Sequence, residues 1–206
     1  MAWLSPLWSR RRGHTMPLDA LVRRGFIAID LETTGLDSRV DVPVAAAVIP
    51  IVAGQPRPGY VTLVNPARTI PPTAVAVHGI TDVMVQDAPR IDEALRHIDL
   101  VCEAYPIVGH GVAFDMAILG RERRRHGQPL PTNAVLCTMQ LAAALHPDWV
   151  DVGLDTVAAR LGFSVAGRHT AEGDALAAAH IFLALLPAAR QRGARTLADL
   201  QWLQAT

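Results

Sequence analysis

The sequence predicts a layered α/β domain with a mixed β-sheet, and three observations lead to that prediction. The chain has 206 residues, of which 50% are hydrophobic, so it is long enough to bury a substantial core. Apolar, β-rich segments come first and segments with helical spacing follow, in the order βββαβα and then further helices. The 19 basic and 19 acidic residues cancel, which argues against holding nucleic acid through a broad basic surface. The composition also excludes disorder, collagen and coiled coil.

Three β-strands are predicted near the start of this domain. Residues 26–32 begin as a buried apolar strand and end in acidic residues, and residues 42–52 form a second β-rich run. Residues 60–65 complete a meander, since glycine-rich turns separate the three runs.

Helical spacing dominates the rest of the chain. A short helix follows Pro71 and ends near Val77, and residues 90–105 carry apolar side chains at the spacing of an amphipathic helix. A short strand over residues 106–109 leads into a second helix over residues 112–126. Further helices are predicted over residues 138–145, 154–161, 171–186 and 196–203.

The chain divides by charge and pattern into a basic N-terminal extension (1–25), a central domain (26–188) and a short C-terminal helical tail (189–206). Cys102 and Cys137 are too few for a disulfide framework or a structural zinc site and suit a reducing cytosol. No segment approaches the roughly 18 uninterrupted apolar residues of a membrane span. A cytoplasmic location without a membrane partner is therefore expected.

Four acids and one histidine stand out as candidate functional residues. Asp30 and Glu32 are two apart at the end of the first strand, so their carboxylates lie on one face. Asp115 and Asp174 each fall in the first turn of a predicted helix, and His169 comes five residues before Asp174. Each has an ordinary explanation on its own, because an acid in a first turn stabilises the helix dipole.

The combination of these residues is specific. Residues 30–36, 108–115 and 169–175 read DLETTGL, VGHGVAFD and HTAEGDA. They resemble, in order, the three motifs of the DnaQ-like, DEDDh family of 3′-5′ exonucleases. Residues 65–81 add the family-like pieces NP, IP and HGIT. The resemblance covers roughly residues 26–188. Within this family, the chain resembles the exonuclease domain, or proofreading subunit, of bacterial DNA polymerase III.

The resemblance implies an RNase H-like fold with a mixed five-stranded sheet flanked by helices. It implies that Asp30, Glu32 and Asp174 hold one divalent ion, while Asp30 and Asp115 serve a second. Carboxylates about 6 Å apart repel by roughly 3 kcal/mol per pair at an effective dielectric constant near 20, so such a cluster needs cations. Because all the ligands are oxygen, Mg²⁺ or Mn²⁺ is expected, and the resemblance implies two such ions. His169 is expected to act as the general base towards the attacking water.

Four further residues are candidate substrate contacts by the same resemblance: Thr33, Leu36, His78 and Phe114. The alternative for Leu36 and Phe114 is packing in the core. The arginine run at residues 121–125 follows the second motif; such runs are usually solvated faces, although this one could meet backbone phosphates.

The sequence departs from the family pattern at several positions. Position 111 is Gly where the family usually has Asn. If residue 111 caps the following helix, Gly in place of Asn lowers the stability of the helix by only a few tenths of a kcal/mol. Residues 44–48 read VAAAV where many relatives have an acid and a glycine, and Cys137 replaces an Asp. Thr170 stands where tyrosine-type exonucleases have Tyr, which favours the histidine type. Thr33 stands where oligoribonucleases usually have Met.

The leading interpretation is a metal-dependent 3′-5′ exonuclease that releases nucleoside 5′-monophosphates from single-stranded or frayed 3′ ends, with DNA favoured over RNA as the substrate. One alternative is an oligoribonuclease or RNA-trimming exonuclease. Another is a non-catalytic nuclease-fold module that binds a polymerase or a nucleic acid end. The sequence leaves open the choice between DNA and RNA, a DNA polymerase as partner, and the oligomeric state.

Overall fold

A mixed β-sheet is the centre of the fold in the computed structural model, which describes residues 16–102 and 105–206. Its six strands are β1 (Phe26–Thr33), β2 (Pro43–Val52), β3 (Gln55–Pro56), β4 (Tyr60–Leu63), β5 (Ile107–Gly109) and β6 (Val135–Cys137). Strand β1 is antiparallel to β2 and parallel to β5, and β5 is parallel to β6. Strands β3 and β4 both pair with the outer edge of β2. The strand that carries the first motif is therefore central.

Helices cover both faces of this sheet. Along the described chain they are α1 (Leu18–Arg24), α2 (Pro72–His78), α3 (Asp82–Val85), α4 (Ile91–Cys102), α5 (Ala113–Arg125), α6 (Thr138–Leu145), α7 (Leu154–Arg160), α8 (Ala171–Gln191) and α9 (Leu197–Leu203). Alternate residues of β1 point to opposite faces. Ile27 and Ile29 pack with α4 and α5, whereas Phe26 and Ala28 pack with the long helix α8.

The predicted fold class is confirmed, and the sheet differs from the prediction only at its margins. The five strands that the resemblance implies become six because two residues, Gln55–Pro56, extend the hairpin after β2. Strand β6 has only three residues, too few to display an alternating pattern, and the sequence reading did not place it. Helix α8 also runs past the predicted residue 186 to Gln191, with Pro187 inside it.

Segments at both ends of the described chain pack on the same core as the rest. Leu18 and Leu21 of α1 are buried in one cluster with Leu197 and Leu200 of α9. The Leu18 amide donates to the carbonyl of Arg195 at 2.9 Å, which joins the two ends. The predicted boundaries at residues 26 and 188 stay predictions. Residues 1–15 of the predicted N-terminal arm lie outside the described residues.

Helix α8 lies across the sheet over small side chains. Ala45 and Ala47 of β2 pair with Glu32 and Asp30 of β1, and both alanines belong to the core cluster that includes α8. Among the described helices, α8 is the one whose length and apolar content would suffice to cross a membrane, but 56% of that window is buried in the protein. Its apolar surface is therefore explained by the core.

Candidate active site

Strand β1 places the first two acids side by side. Asp30 and Glu32 alternate with Ile29 and Leu31, which pack on the opposite face of the sheet. The regular pairing with β2 shifts between Glu32 and Thr33, where β1 ends. Both carboxylates therefore stand at the end of the central strand, on the face that α8 covers.

The start of α8 brings in the third acid. Thr170 is the N-cap, and its hydroxyl oxygen accepts from the Gly173 amide at 3.1 Å. A Cβ on Gly173 would lie 2.1 Å from the carbonyl oxygen of Gly167, so only glycine allows the preceding loop to approach the helix this closely. The loop is thereby folded tightly against the first turn, which carries Asp174.

The structure brings three of the four predicted acids together and places the fourth beside them. Carboxylate oxygens of Asp30, Glu32 and Asp174 all lie within 4.8 Å of one another. Asp115, in the first turn of α5, is only 6% exposed, and its Oδ1 accepts from the Leu31 amide at 3.0 Å. Asp115 is thus fixed to the strand between the first two acids, outside the group of three.

Crowding and burial make these carboxylates harder to ionise. Burial, and then the charges of Asp115, Asp174 and Glu32, raise the pKa of Asp30 well above its usual range. Burial and the charge of Asp174 raise the pKa of Glu32 to about 7. Burial also raises the pKa of Asp115 to about 7, although the Leu31 hydrogen bond opposes this. Such clustered shifts mark a site that a cation would relieve.

The donor set fits a hard divalent cation. The three clustered groups offer only carboxylate oxygens, the ligand type that Mg²⁺ and Mn²⁺ prefer. Oδ1 of Asp174 is buried and has no hydrogen-bond partner among the described residues. A buried charged oxygen without a donor is costly, so an ion at this point would satisfy it.

Arg168 is a further residue of the site, which the sequence analysis did not predict. Its guanidinium pairs with Asp174 through Nη1 and with Asp155 through Nε at 2.9 Å. Because it neutralises part of the cluster, Arg168 lowers the pKa of Asp30 and of Glu32 against the upward effect of burial. Its position next to His169 in the motif was the one indication in the sequence. Asp174 thus has an internal cationic partner on one oxygen only.

His169 lies at the edge of the cluster in a strained backbone conformation. Its φ of 61° falls in the left-handed region, which is uncommon for a residue with a Cβ. Its side chain is exposed, and Nδ1 lies 3.3 Å from Nη1 of Arg168. Strain of this kind persists where the surroundings fix it, often at functional sites.

Two of the predicted substrate contacts, Thr33 and Leu36, lie at the end of β1 and in the loop that follows it. Leu36 is 92% exposed, so the alternative of core packing is wrong for this residue. Thr33, the last residue of β1, is buried, and its hydroxyl donates to the carbonyl of Gly35 at 2.6 Å. The hydroxyl is therefore used within the loop, and the backbone of Thr33 is the part that remains for a substrate contact. Leu36 follows the end of β1 and is accessible to a ligand.

The other two candidates occupy mixed environments. Phe114 is half-buried and packs against the second core cluster, so core packing accounts for part of its surface. Nδ1 of His78 accepts from the Ile80 amide at 3.0 Å, and the ring also interacts with the backbone of Thr33. Burial lowers the pKa of His78, so the neutral ring is favoured.

Two of the four arginines in the run after the second motif are structural. Arg121 donates from Nη1 to the Ser38 carbonyl at 2.5 Å and so holds the loop after β1. Arg123 is 3% exposed and pairs with Asp99 at 2.5 Å. These two arginines are therefore not part of a solvated face.

Gly111 lies in the turn before α5 and does not cap this helix. Helix α5 begins after Val112, so Gly111 is not its cap. Instead Gly111 adopts a φ of 69°, a left-handed conformation that both Gly and Asn tolerate. Next to it, His110 is held between the Thr138 hydroxyl at 2.8 Å and the Val152 carbonyl at 2.9 Å. The exchange of Asn for Gly therefore keeps the turn that precedes α5.

We expect Mg²⁺ to stabilise the protein more at pH 8 than at pH 5. The folded-state pKa of Glu32 and of Asp115 is about 7, above the ordinary values, so between these limits the folded state binds more protons than the unfolded state. The metal-free protein therefore loses stability as the pH rises through this window. The melting temperature in EDTA and in Mg²⁺ measures the effect, and the difference should grow by at least roughly 2–4 °C, about 1 kcal/mol.

An equal Mg²⁺ effect at both pH values would contradict this expectation. The matched control is Asp87→Asn, since Asp87 is an exposed acid outside the cluster. This control should show the same pH-dependent Mg²⁺ effect as the unchanged protein.

Comparison with known proteins agrees with this geometry. A family model described as Exonuclease, RNase_T, matches residues 27–182. The chain is 41% identical over 185 residues to the DNA polymerase III subunit epsilon-like protein of Rhodobacter capsulatus, covering 87% of this chain and 26% of that protein. It therefore spans about a quarter of the length of this relative.

Solved structures of exonucleases share the fold. Exonuclease X in complex with 5′-overhanging duplex DNA has a TM-score of 0.63 and 24% identity, covering 87% of this chain and 99% of that one. The zinc-bound form of the Escherichia coli exonuclease I complex with single-stranded DNA has a TM-score of 0.67 and 20% identity, covering 82% and 41%. At these identities the likeness concerns the fold.

Proposed function

Since the chain belongs to the RNase_T family of exonucleases, we propose that it is a metal-dependent 3′-5′ exonuclease. It hydrolyses phosphodiester bonds at nucleic acid 3′ ends and releases nucleoside 5′-monophosphates. The observation that carries the proposal is the cluster of Asp30, Glu32 and Asp174, with carboxylate oxygens within 4.8 Å of one another, beside buried Asp115. A vestigial binding module would have no need to keep such a repulsive group of acids.

The acids have a common role in this proposal. Asp30, Glu32 and Asp174 would hold one Mg²⁺ or Mn²⁺, and Asp30 with Asp115 would serve a second. Bound there, two such ions supply charge stabilisation for the attacking and leaving oxygens of an in-line displacement. The hydrogen bond from the Leu31 amide keeps Asp115 oriented towards this end of the sheet.

His169 accepts a proton from the attacking water. It lies outside the group of three acids, and its exposed ring next to Arg168 is open to a substrate end. A positioned general base of this kind contributes about 10² to 10⁴ in rate. Leu36, Thr33, His78 and Phe114 then contact the terminal nucleotide.

The substrate we propose is the single-stranded or frayed 3′ end of DNA. Relatives in structure are described in complex with DNA, and the relative from Rhodobacter capsulatus is named for a polymerase subunit. On this basis a DNA polymerase is the proposed protein partner, and the cytoplasm is the proposed location. The alternative of an RNA-trimming enzyme has no residue in the site that favours it.

Digestion of end-labelled strands tests the proposal. Matched single-stranded DNA and RNA, labelled at the 5′ end, are incubated with Mg²⁺ or Mn²⁺, and we expect progressive shortening from the 3′ end, faster for DNA. A labelled strand that keeps its full length with either ion would contradict the proposal. Hydrolysis confined to short RNA in a chain-length series would support the oligoribonuclease alternative. Metal-independent binding of a 5′-monophosphate without turnover would support the binding module.

A further inference from the structure

A basic cavity lies beside the start of β2, on the side of the sheet that carries α4 and α5. It encloses about 180 Å³ and is lined by side chains from the segment after β4, the start of α4 and the end of α5. Four of these can carry positive charge: Arg68, Arg90, Arg125 and His126. Glu122 is the one acid among the described residues that line it. In a chain of net charge zero, this is a strong local concentration of positive charge.

The single acid in the cavity is already neutralised. The Glu122 carboxylate is almost fully buried and accepts from Arg121 at 2.8 and 2.9 Å. Arg125 approaches the same carboxylate at 3.2 Å. Glu122 therefore orients two arginines and presents no free negative charge to the cavity.

The remaining arginines have donors to spare. Arg68 uses Nη1 to donate to the Val40 carbonyl at 3.0 Å, which fixes its direction and leaves its other donors free. Within the described part of the chain, the Arg90 side chain has no ion pair or hydrogen bond. Ala67, which also lines the cavity, has a φ of 56°, so the turn beside Arg68 is held in a strained conformation.

The cavity is adjacent to the end of the strand that carries the acids. Pro43 lines the cavity and pairs with Thr33, the residue after Glu32. Paired strands lie about 4.8 Å apart, so this wall is one strand away from the end of β1, while the cavity lies on the α4–α5 face and the acids on the α8 face. A strand whose 3′ end lies at the acids could pass over the loop after β1 and reach the cavity.

We propose that this cavity binds a backbone phosphate of the substrate strand, upstream of the nucleotide that is removed. The inference rests on the proposed exonuclease function and adds a second contact for the same substrate. Guanidinium groups match phosphate oxygens by charge and by their paired donors. A volume of about 180 Å³ accommodates one phosphate group, not a folded partner.

Salt-dependent binding of single-stranded DNA tests the inference. Arg68→Gln and Arg90→Gln are each made in an Asp30→Asn background, which prevents digestion, and binding is followed by fluorescence anisotropy. Each variant should weaken binding uniformly across sequences and reduce the slope of log K against log salt by about 0.7, the value for one lost phosphate on a single strand. Arg90→Lys should keep the slope, since it keeps the charge.

Matched controls separate this contact from the site itself. Arg96→Gln, at an exposed position of helix α4, which begins directly after Arg90, should leave the slope unchanged. With Asp30 intact, Arg68→Gln and Arg90→Gln should hydrolyse a dinucleotide at the unchanged rate and raise KM only for longer strands.

Three results would overturn the inference. The first is an unchanged salt slope in both variants, and the second is an equal loss of activity on the dinucleotide and on longer strands. The third is binding of inorganic phosphate in the cavity that leaves the affinity for the DNA strand unchanged, which would indicate a site for free phosphate. If the unmodified protein neither bound nor hydrolysed DNA, the proposed function itself would fail.

Discussion

Replacing Asp30 by asparagine is expected to lower the rate of mononucleotide release by more than about 10³-fold, because several kcal/mol of transition-state stabilisation depend on the ions that it would hold. Asp30 is the acid with the most charged neighbours, since Asp115, Asp174 and Glu32 all raise its pKa. Asparagine keeps the shape of the side chain and removes the charge. The measurement is the single-turnover rate of 3′-end shortening in saturating Mg²⁺.

The same substitution should not unfold the protein. Removing a carboxyl group whose ionisation is opposed by burial and by three other acids should raise the melting temperature of the metal-free protein, in contrast to its effect on rate. Asp87→Asn, an exposed substitution of the same kind, should leave both quantities unchanged. A rate within tenfold of the unmodified protein in Asp30→Asn would exclude Asp30 from the ion site.

The positions of the acids within their own strand and helices follow from simple periodicities in the sequence, whereas their convergence was implied by the family resemblance. Asp30 and Glu32 share a face because side chains on a strand alternate, and the structure places both beside α8. Asp174 was expected in the first turn of a helix, and it lies there, next to the two strand acids. These positions depend on local geometry, which a sequence displays directly.

Features that depend on long-range contacts were harder to predict. Arg121 belongs to a run of arginines that reads as a solvated face, but its partners, the carbonyls of Ser38 and Asp41, are 83 and 80 residues away. The partner of Arg168, Asp155, comes from the preceding helix, α7. No local pattern identifies such pairs, because they exist only after the elements have packed.

Backbone conformation was the other property that the sequence did not predict. Gly111 fits its turn because the chain adopts a left-handed φ there, not because it caps a helix. Strand β6 was missed since three residues are too few for a pattern, although they pair in register with β5. Leu36 reads as a core residue by type, and only the path of the loop leaves it exposed.

Replacing His169 is expected to lower the hydrolysis rate by about 10² to 10⁴ while KM changes little, because a general base acts in the transition state. The choice of substituent matters at this position. His169 has a φ of 61°, which Gly and Asn adopt more readily than Ala, so His169→Asn and His169→Gly remove the ring without adding backbone strain. Both variants should lose rate to a similar extent.

Added imidazole separates loss of the base from damage to the acid cluster. Free imidazole should restore part of the rate of His169→Gly, which leaves space for it, and none of the rate of Asp30→Asn. His97→Asn, at an exposed histidine that stacks on Tyr60, should keep the full rate. Because His169 lies outside the group of three acids, its variants should bind Mn²⁺ with unchanged affinity. A variant that lost Mn²⁺ binding together with activity would instead assign His169 to the ion site, and the proton would need another acceptor.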